Sequence, residues 1–442
     1  MSLRLAGRDV ESLLIVGYGM TGRAVAGFCE RRGVRFAVSE DSVLPGADEA
    51  WLRDHAREVE TGGHTLRLLD YADVVVASPG APAHLPLLAA AAERGIPVWS
   101  ELDIAWAAVS GRRLVAVTGT NGKSTTVSLI GALLGRSGIR ATVAGNIGLP
   151  FLDIVDEADC WDVAVLEVSS FQLEQSVLFH PHVAVLLNLA PNHLERHGTM
   201  PAYVAAKLRL FSHQTPLDAA ILPASLAGTV DHGLGRLVLY DQPCPPLPRE
   251  SETVGEVRRL DLAAAVTACR EIVPGFDASR WSVHEFAKAL YLPFRQQPVG
   301  TIGGVHVVND SKATSPAAAM AALRSVQGPV VLLLGGRSKR GGYDELACYL
   351  SAFSPRGVVV FGEARQEIAE YLSRAGVEHQ SASDFESAVA AGLAAARPGD
   401  TLLLSPACSS FDAFRGYEER GEEFNRIARR LPGFRAADAK DI

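Results

Sequence analysis

Nine short runs of almost unbroken Val, Leu, Ile and Ala constrain this chain more than any other feature. They are SLLIVG (12–17), RFAVS (35–39), DVVVAS (73–78), RRLVAVTG (112–119), DVAVLEV (162–168), HVAVLLN (182–188), VVLLLGG (330–336), GVVVFG (357–362) and DTLLLSP (400–406). A strand that is apolar on both faces must be covered on both, which is the condition of a parallel sheet flanked by helices. The segments between them, such as TGRAVAGFCERRG ending at Gly33 and KSTTVSLIGALLGRSG ending at Gly138, have helical periodicity and a terminal glycine. The expected fold is α/β, with parallel strands joined by crossover helices.

At 442 residues the chain is long enough for about three domains. The runs fall into three groups, giving expected domains over 1–101, 102–292 and 293–442. Two Rossmann-like domains then flank a central phosphate-loop sheet. The stretch DQPCPPLPRESETVGEVRR (241–259) contains four prolines and is expected as a surface loop. A net charge of −8 argues against a broad nucleic-acid surface. The six cysteines are scattered without CxxC spacing, so neither a disulfide framework nor a zinc site is expected. The N-terminus lacks a signal-like apolar stretch, and no run approaches the roughly 20 apolar residues of a membrane helix. A reducing cytoplasm is the expected setting, without membrane or nucleic-acid partners.

The sharpest chemical signal is Val117-Thr118-Gly119-Thr120-Asn121-Gly122-Lys123-Ser124-Thr125, between a strand and a helix. Such a turn aims successive N–H groups and a helix N-terminus at one point, where a phosphate binds. Lys123 then reaches the β/γ-phosphates, and Ser124 or Thr125 a bridging Mg²⁺. Val117 stands where the strict phosphate-loop pattern has its first glycine. A second motif, Gly17-Tyr18-Gly19-Met20-Thr21-Gly22, follows the first strand, with Glu40 as a possible ribose acceptor and Ser78-Pro79-Gly80 at the same sheet edge. Beside an ATP-type loop it points to a phosphorylated substrate rather than a redox cofactor. An NAD-dependent oxidoreductase, the rival reading, leaves the downstream motifs unexplained.

Glu167, at the end of DVAVLE, reads either as a strand-end charge or as a magnesium carboxylate. In the loop after the next strand, His193 is within reach of the same metal, whereas His197 reads as a loop residue. Lys207, on the following helix, has no function assignable from spacing. In the third group, Asn309–Ser315, Gly335–Lys339 and Ser405–Asp412 all follow strands, so they converge at one sheet edge. Their hydroxyls, with Lys312 and Lys339, suit a small dicarboxylate. Asp310, Ser338 and Ser409 also qualify singly as helix N-caps.

These motifs resemble the Mur ligase family. TGTNGKST is common to those ligases and to folylpolyglutamate synthetases. LEVSSFQLE (166–174), GNIG (145–148), NDSKATS (309–315), LLLGGRSK (332–339) and SPACSSFDAFRGYEERG (405–421) narrow the likeness to the D-glutamate-adding members, over essentially the whole chain. The resemblance implies an ADP-forming amide ligase that joins D-glutamate to UDP-N-acetylmuramoyl-L-alanine through an acyl phosphate. A folate-type or other amino-acid ligase on the same frame is the alternative it leaves. It further implies that Gly119, Thr120, Asn121, Gly122, Lys123, Ser124, Thr125, Arg295 and Asp310 bind ATP. Gly19, Met20, Thr21, Ser78, Gly80, Asn146, Ser169 and Gln172 would face the UDP substrate, and Thr314, Lys339, Ser410 and Phe411 D-glutamate. Ser124, Glu167, His193 and Lys207 would hold two Mg²⁺ ions, Lys207 as a carbamate, and the enzyme would be a monomer. Val257-Arg258-Arg259-Leu260-Asp261, Phe294-Arg295, Asp41-Ser42 and Asn192 depart from the family pattern around adenine, the UDP diphosphate and the metal loop.

Overall fold

In the computed structural model, which describes residues 3–437 other than 45, 83, 110, 291, 327 and 339–341, all nine apolar runs are strands. The first sheet has five parallel strands in the order β3-β2-β1-β4-β5: β1 (Ser12–Val16), β2 (Arg35–Glu40), β3 (Glu58–Thr61), β4 (Val74–Ala77) and β5 (Val98–Trp99). Helix α1 (Met20–Arg32) follows the first glycine motif and stops at Gly33, whose φ of 65° is the left-handed cap. A linker helix, α2 (Glu101–Ala108), begins at a Ser100/Asp103 capping box.

The central sheet is also parallel throughout. Its strands are β6 (Arg113–Thr118), β7 (Ala141–Gly145), β8 (Val163–Glu167), β9 (Val183–Leu186), β10 (Ala219–Leu222) and β11 (Arg236–Leu239). They lie in the order β11-β10-β9-β6-β8-β7. Between them run α3 (Lys123–Arg136), α4 (Ser170–Glu174), α5 (Leu194–His197) and α6 (Met200–Leu208), and α7 (Glu256–Ile272) closes the unit. The expected surface loop over 241–259 is therefore only partly a loop. Its last four residues open α7, and Leu247 packs on the central core. The prolines end at Pro248, so nothing beyond them opposes a helix.

The third sheet corrects the all-parallel expectation. Its seven strands are β12 (Gln297–Ile302), β13 (Val305–Asn309), β14 (Val330–Gly335), β15 (Gly357–Phe361), β16 (Gln380–Ser381), β17 (Thr401–Leu404) and β18 (Phe434–Ala436), in the order β16-β15-β14-β17-β13-β12-β18. β12 pairs antiparallel with both β13 and β18. The cause is local: Gly303 and Gly304, at φ 57° and 86°, form a two-residue turn that lets the chain fold straight back. α8 (Pro316–Ser325), α9 (Tyr343–Phe353), α10 (Arg365–Arg374), α11 (Phe385–Ala395) and α12 (Tyr417–Arg430) cover this sheet. Among the described residues no helix is long and apolar enough to cross a membrane. The six cysteines are free thiols.

Candidate active site

The carboxyl ends of all three sheets face a common cleft containing two adjoining cavities, of about 190 and 750 Å³. The smaller is built on the turn from β6 into α3. Gly119 and Gly122 adopt φ 151° and 85°, and a Cβ at Gly122 would lie 2.2 Å from Asp261 Oδ1, so that position must be glycine. Lys123 Nζ donates to the carbonyls of Gly119 and Thr120 at 2.9 and 3.0 Å. Thr120 Oγ1 bonds Tyr203 Oη, and Asn121 N donates to Asn188 Oδ1, so side chains from the loop just past β9 and from α6 fix the turn.

Glu167 is buried at the end of β8. Ser124 Oγ donates to one of its oxygens at 2.6 Å and Asn146 Nδ2 to the other at 2.9 Å. Burial pushes its carboxyl up, but Lys123, Lys312 and these hydrogen bonds outweigh that and hold it below the ordinary carboxylate range. Lys312 crosses from the third domain, with Nζ 2.9 Å from Ser124 Oγ, and burial lowers its ammonium to about 8. Lys207 is buried on α6, donating to Gly119 O at 2.9 Å, and burial followed by the neighbouring Lys123 charge puts it well below an ordinary lysine. His193 caps α5 at φ 55°, its ring edge-on to Phe171, and lines both cavities.

Of the other residues singled out from sequence, Thr125, Arg295 and Asp310 line the smaller cavity. Asp310 is no N-cap: its carboxylate accepts from Ser405 Oγ and Gln296 N, and burial raises it to about 6. Ser338 and Ser409 cap no helix either. The caps are Ser315 for α8, Gly342 for α9 and Gly416 for α12. Gly19 caps α1, and Met20, Thr21, Ser169, Gln172, Ser410 and Phe411 line the larger cavity, while Thr314 lines both. Ser169 and Gln172 also form the capping box of α4. Ser78 Oγ donates to Gly17 O, and Gly80 lies exposed beyond it. Lys339 lies outside the described residues.

Two further expectations fail. Glu40, the candidate ribose acceptor, accepts from Tyr18 N and Ser42 N, so it braces the glycine turn from within. His197 is not a loop residue: it ends α5 with a buried ring, bonded to Ser170 Oγ and paired with Glu174. Sequence reasoning missed Tyr417, which lines both cavities with Lys312 Nζ 5.2 Å from its ring centre. An aromatic at the start of an amphipathic helix carries no signal of its own. Asp261, noted only as a departure, is buried beside Lys123 and raised to about 7 by that burial.

Among the described residues no group of three or more His, Cys, Asp or Glu side chains could hold a metal ion. A protein-caged ion is thus a poor fit. An ion that brings phosphate and water ligands needs only a few protein donors, and Glu167, Ser124 and His193 line one cavity in that way.

Residues 11–100 match the Mur ligase MurD-like N-terminal domain, 117–228 the Mur ligase middle domain, and 294–408 the Mur ligase glutamate ligase domain. The chain is 37% identical to the UDP-N-acetylmuramoylalanine--D-glutamate ligase of Acidobacterium capsulatum, over 94% of this chain and 96% of that one. It is 35% identical to the same-named ligase of Desulfatibacillum aliphaticivorans, over 96% and 99%. In structure it resembles the MurF ligase of Thermotoga maritima in complex with ADP, at a TM-score of 0.58 and 19% identity over 90% and 96% of the two chains.

Proposed function

The chain belongs to the Mur ligase family, and from that premise we propose that it joins D-glutamate to UDP-N-acetylmuramoyl-L-alanine in peptidoglycan precursor synthesis, cleaving ATP to ADP and phosphate. The observation that carries this reading is the chain of contacts linking the domains at one charged centre: Lys312 to Ser124, and Ser124 to Glu167. A carboxylate is anionic and resonance-stabilised, so an amine cannot displace its oxygen directly. In the proposed reaction an oxygen of the alanine carboxylate attacks the γ-phosphorus as the bond to ADP breaks. The D-glutamate amine then attacks the acyl phosphate carbon, phosphate leaves, and the amine loses a proton. The first step brings two anions together, and Lys123 and Lys312 offset that repulsion from positions fixed in the cavity lining.

The family uses ATP with Mg²⁺, which when bound neutralises charge on the transferring phosphoryl group. Glu167, Ser124 and His193 are the donors proposed for it. Residues Gly119 to Thr125 cradle the phosphates, with Arg295 and Asp310 on the third-domain side. Asn146, Ser169 and Gln172, with the Gly19–Thr21 turn and Ser78, face the nucleotide substrate. Thr314, Lys339, Ser410 and Phe411 serve D-glutamate. Lys207 is suited to carbamylation because burial and the neighbouring Lys123 charge disfavour its ammonium form: the neutral amine nitrogen adds to CO₂ and releases a proton, giving an anionic ligand for a second ion. Every proposed group comes from one chain, so a monomer suffices, with working domains over 1–101, 102–292 and 293–442.

The test is ADP release with UDP-N-acetylmuramoyl-L-alanine, run with D- and L-glutamate side by side and with folates as control acceptors. Turnover with D-glutamate alone is the expected result. Turnover with folates only would overturn the substrate assignment. Oxygen label in the acid substrate should appear in the released phosphate.

A further inference from the structure

The loops at the amino-acid end of the cleft close around a buried cation. Arg420, on α12, is fully buried and uses all five of its N–H groups. Nε donates to Ser311 Oγ at 3.0 Å. Nη1 donates to the carbonyls of Gly335 and Ser409, at 3.3 Å each. Nη2 donates to Ser311 O at 2.8 Å and Cys408 O at 3.1 Å. Every acceptor is a neutral carbonyl or hydroxyl, and among the described residues no carboxylate is in ion-pair contact with it. A cation buried this way is costly for stability alone.

Its acceptors lie on the three segments that leave β13, β14 and β17. These segments carry Lys312 and Thr314, Arg337, and Ser410 with Phe411. We propose that Arg420 is the positioning residue for the incoming amino acid, its guanidinium fork setting the three loops at one height so that their polar groups face the acceptor together. This deepens the D-glutamate reading and rests on it.

Two further features support it. A trans peptide holds its C=O and N–H antiparallel, so drawing the Ser409 carbonyl inward onto Arg420 turns the Ser410 N–H outward, on a residue that lines the larger cavity. Gly336 leaves room for the arrangement: a Cβ there would lie 2.1 Å from Ser409 O and 3.0 Å from Arg420 Nη1. The planar five-donor fork is specific to arginine. A lysine keeps the charge but radiates three donors from one point and cannot reach all three loops.

Arg420→Lys and Arg420→Met should raise the KM for D-glutamate by about 10- to 100-fold, the scale expected when reacting groups shift by an ångström. The KM for ATP and for the nucleotide substrate should stay within about threefold, and oxygen scrambling in ATP without D-glutamate, which reports acyl phosphate formation, should fall by less than the D-glutamate KM rises, since of the groups named on these loops only Lys312 is placed at the phosphates. Ser311→Ala, which removes the hydroxyl that Arg420 Nε donates to and leaves the guanidinium in place, should give a smaller rise of the same selectivity and keeps the test available if Arg420→Met does not fold. An Arg420→Lys enzyme with wild-type D-glutamate KM would overturn the inference, as would equal losses in every KM, in scrambling and in melting temperature. Wild-type protein that does not turn over D-glutamate would overturn the functional reading itself, and this inference with it.

Discussion

Lys123, Lys312 and Arg295 line one cavity with Glu167, whose carboxyl the two lysines hold below the ordinary range, so the cleft suits a polyanion. Lys123 is central because its amine hangs over the phosphate turn itself. Lys123→Ala should lower kcat/KM at least about 10³-fold, roughly 4 kcal/mol of transition-state stabilisation, with little change in melting temperature. ADP release beside a thermal melt checks both halves, and activity near wild type would remove the turn from the mechanism. Asp261 acts in the opposite sense. Burial raises its carboxyl to about 7 against the pull of Arg295, Arg258 and Lys123, so the folded chain holds this proton more tightly than the unfolded one. The stability from that proton is complete below about pH 4 and is lost as pH rises through about 7. Asn cannot ionise, so Asp261→Asn should gain on wild type from almost nothing near pH 4 to roughly 2–4 kcal/mol at pH 8. Denaturant unfolding across that range measures it, and a pH-independent difference would contradict the burial argument.

Among elements, α2 bears the load between the first two sheets through one side chain. Asp103 accepts from Ser100 N and Oγ, from Ser176 Oγ, and from the backbone N–H groups of Val177, Leu178 and Phe179. Asp103→Ala leaves several buried donors unsatisfied and should cost about 3 kcal/mol or more, read as a lower urea midpoint. A loss within 0.5 kcal/mol would mean water replaces the carboxylate. This helix was not legible beforehand, since SELDIAW reads as a polar break between strands. Nor was the β12–β13 hairpin, where Pro298 and Gly300 interrupt the apolar pattern. The nine strands were legible because burial on both faces leaves an unbroken apolar run. The phosphate turn was legible too, because its glycines, Lys123 and Ser124 are contiguous. Tyr417 and the Glu40 brace were not, because each acquires its role from elements distant in sequence.

Across the whole molecule the three units are not equally bound to one another. One hydrophobic cluster runs continuously from Leu5 in the first domain to Leu222 in the second, whereas the third domain packs around clusters of its own. Polar ties follow the same division. Arg31 and Arg32 both pair with Asp156, and Gln175 and Arg196 both donate to Ala81 O, joining the first two units. The third reaches the phosphate turn through Lys312 and Ser124. The mobile body is therefore expected to be the third domain, closing on the second to exclude water from an acyl phosphate. Lys312→Met removes the charge that both marks closure and faces the transferring group. It should lower kcat about 10²-fold while leaving the melting temperature within a few degrees. Solution scattering should show wild-type protein contracting on addition of ATP and UDP-N-acetylmuramoyl-L-alanine, and the variant contracting less. A wild-type profile that does not change with substrates would refute closure, and would leave Lys312 as a charge in a preformed site.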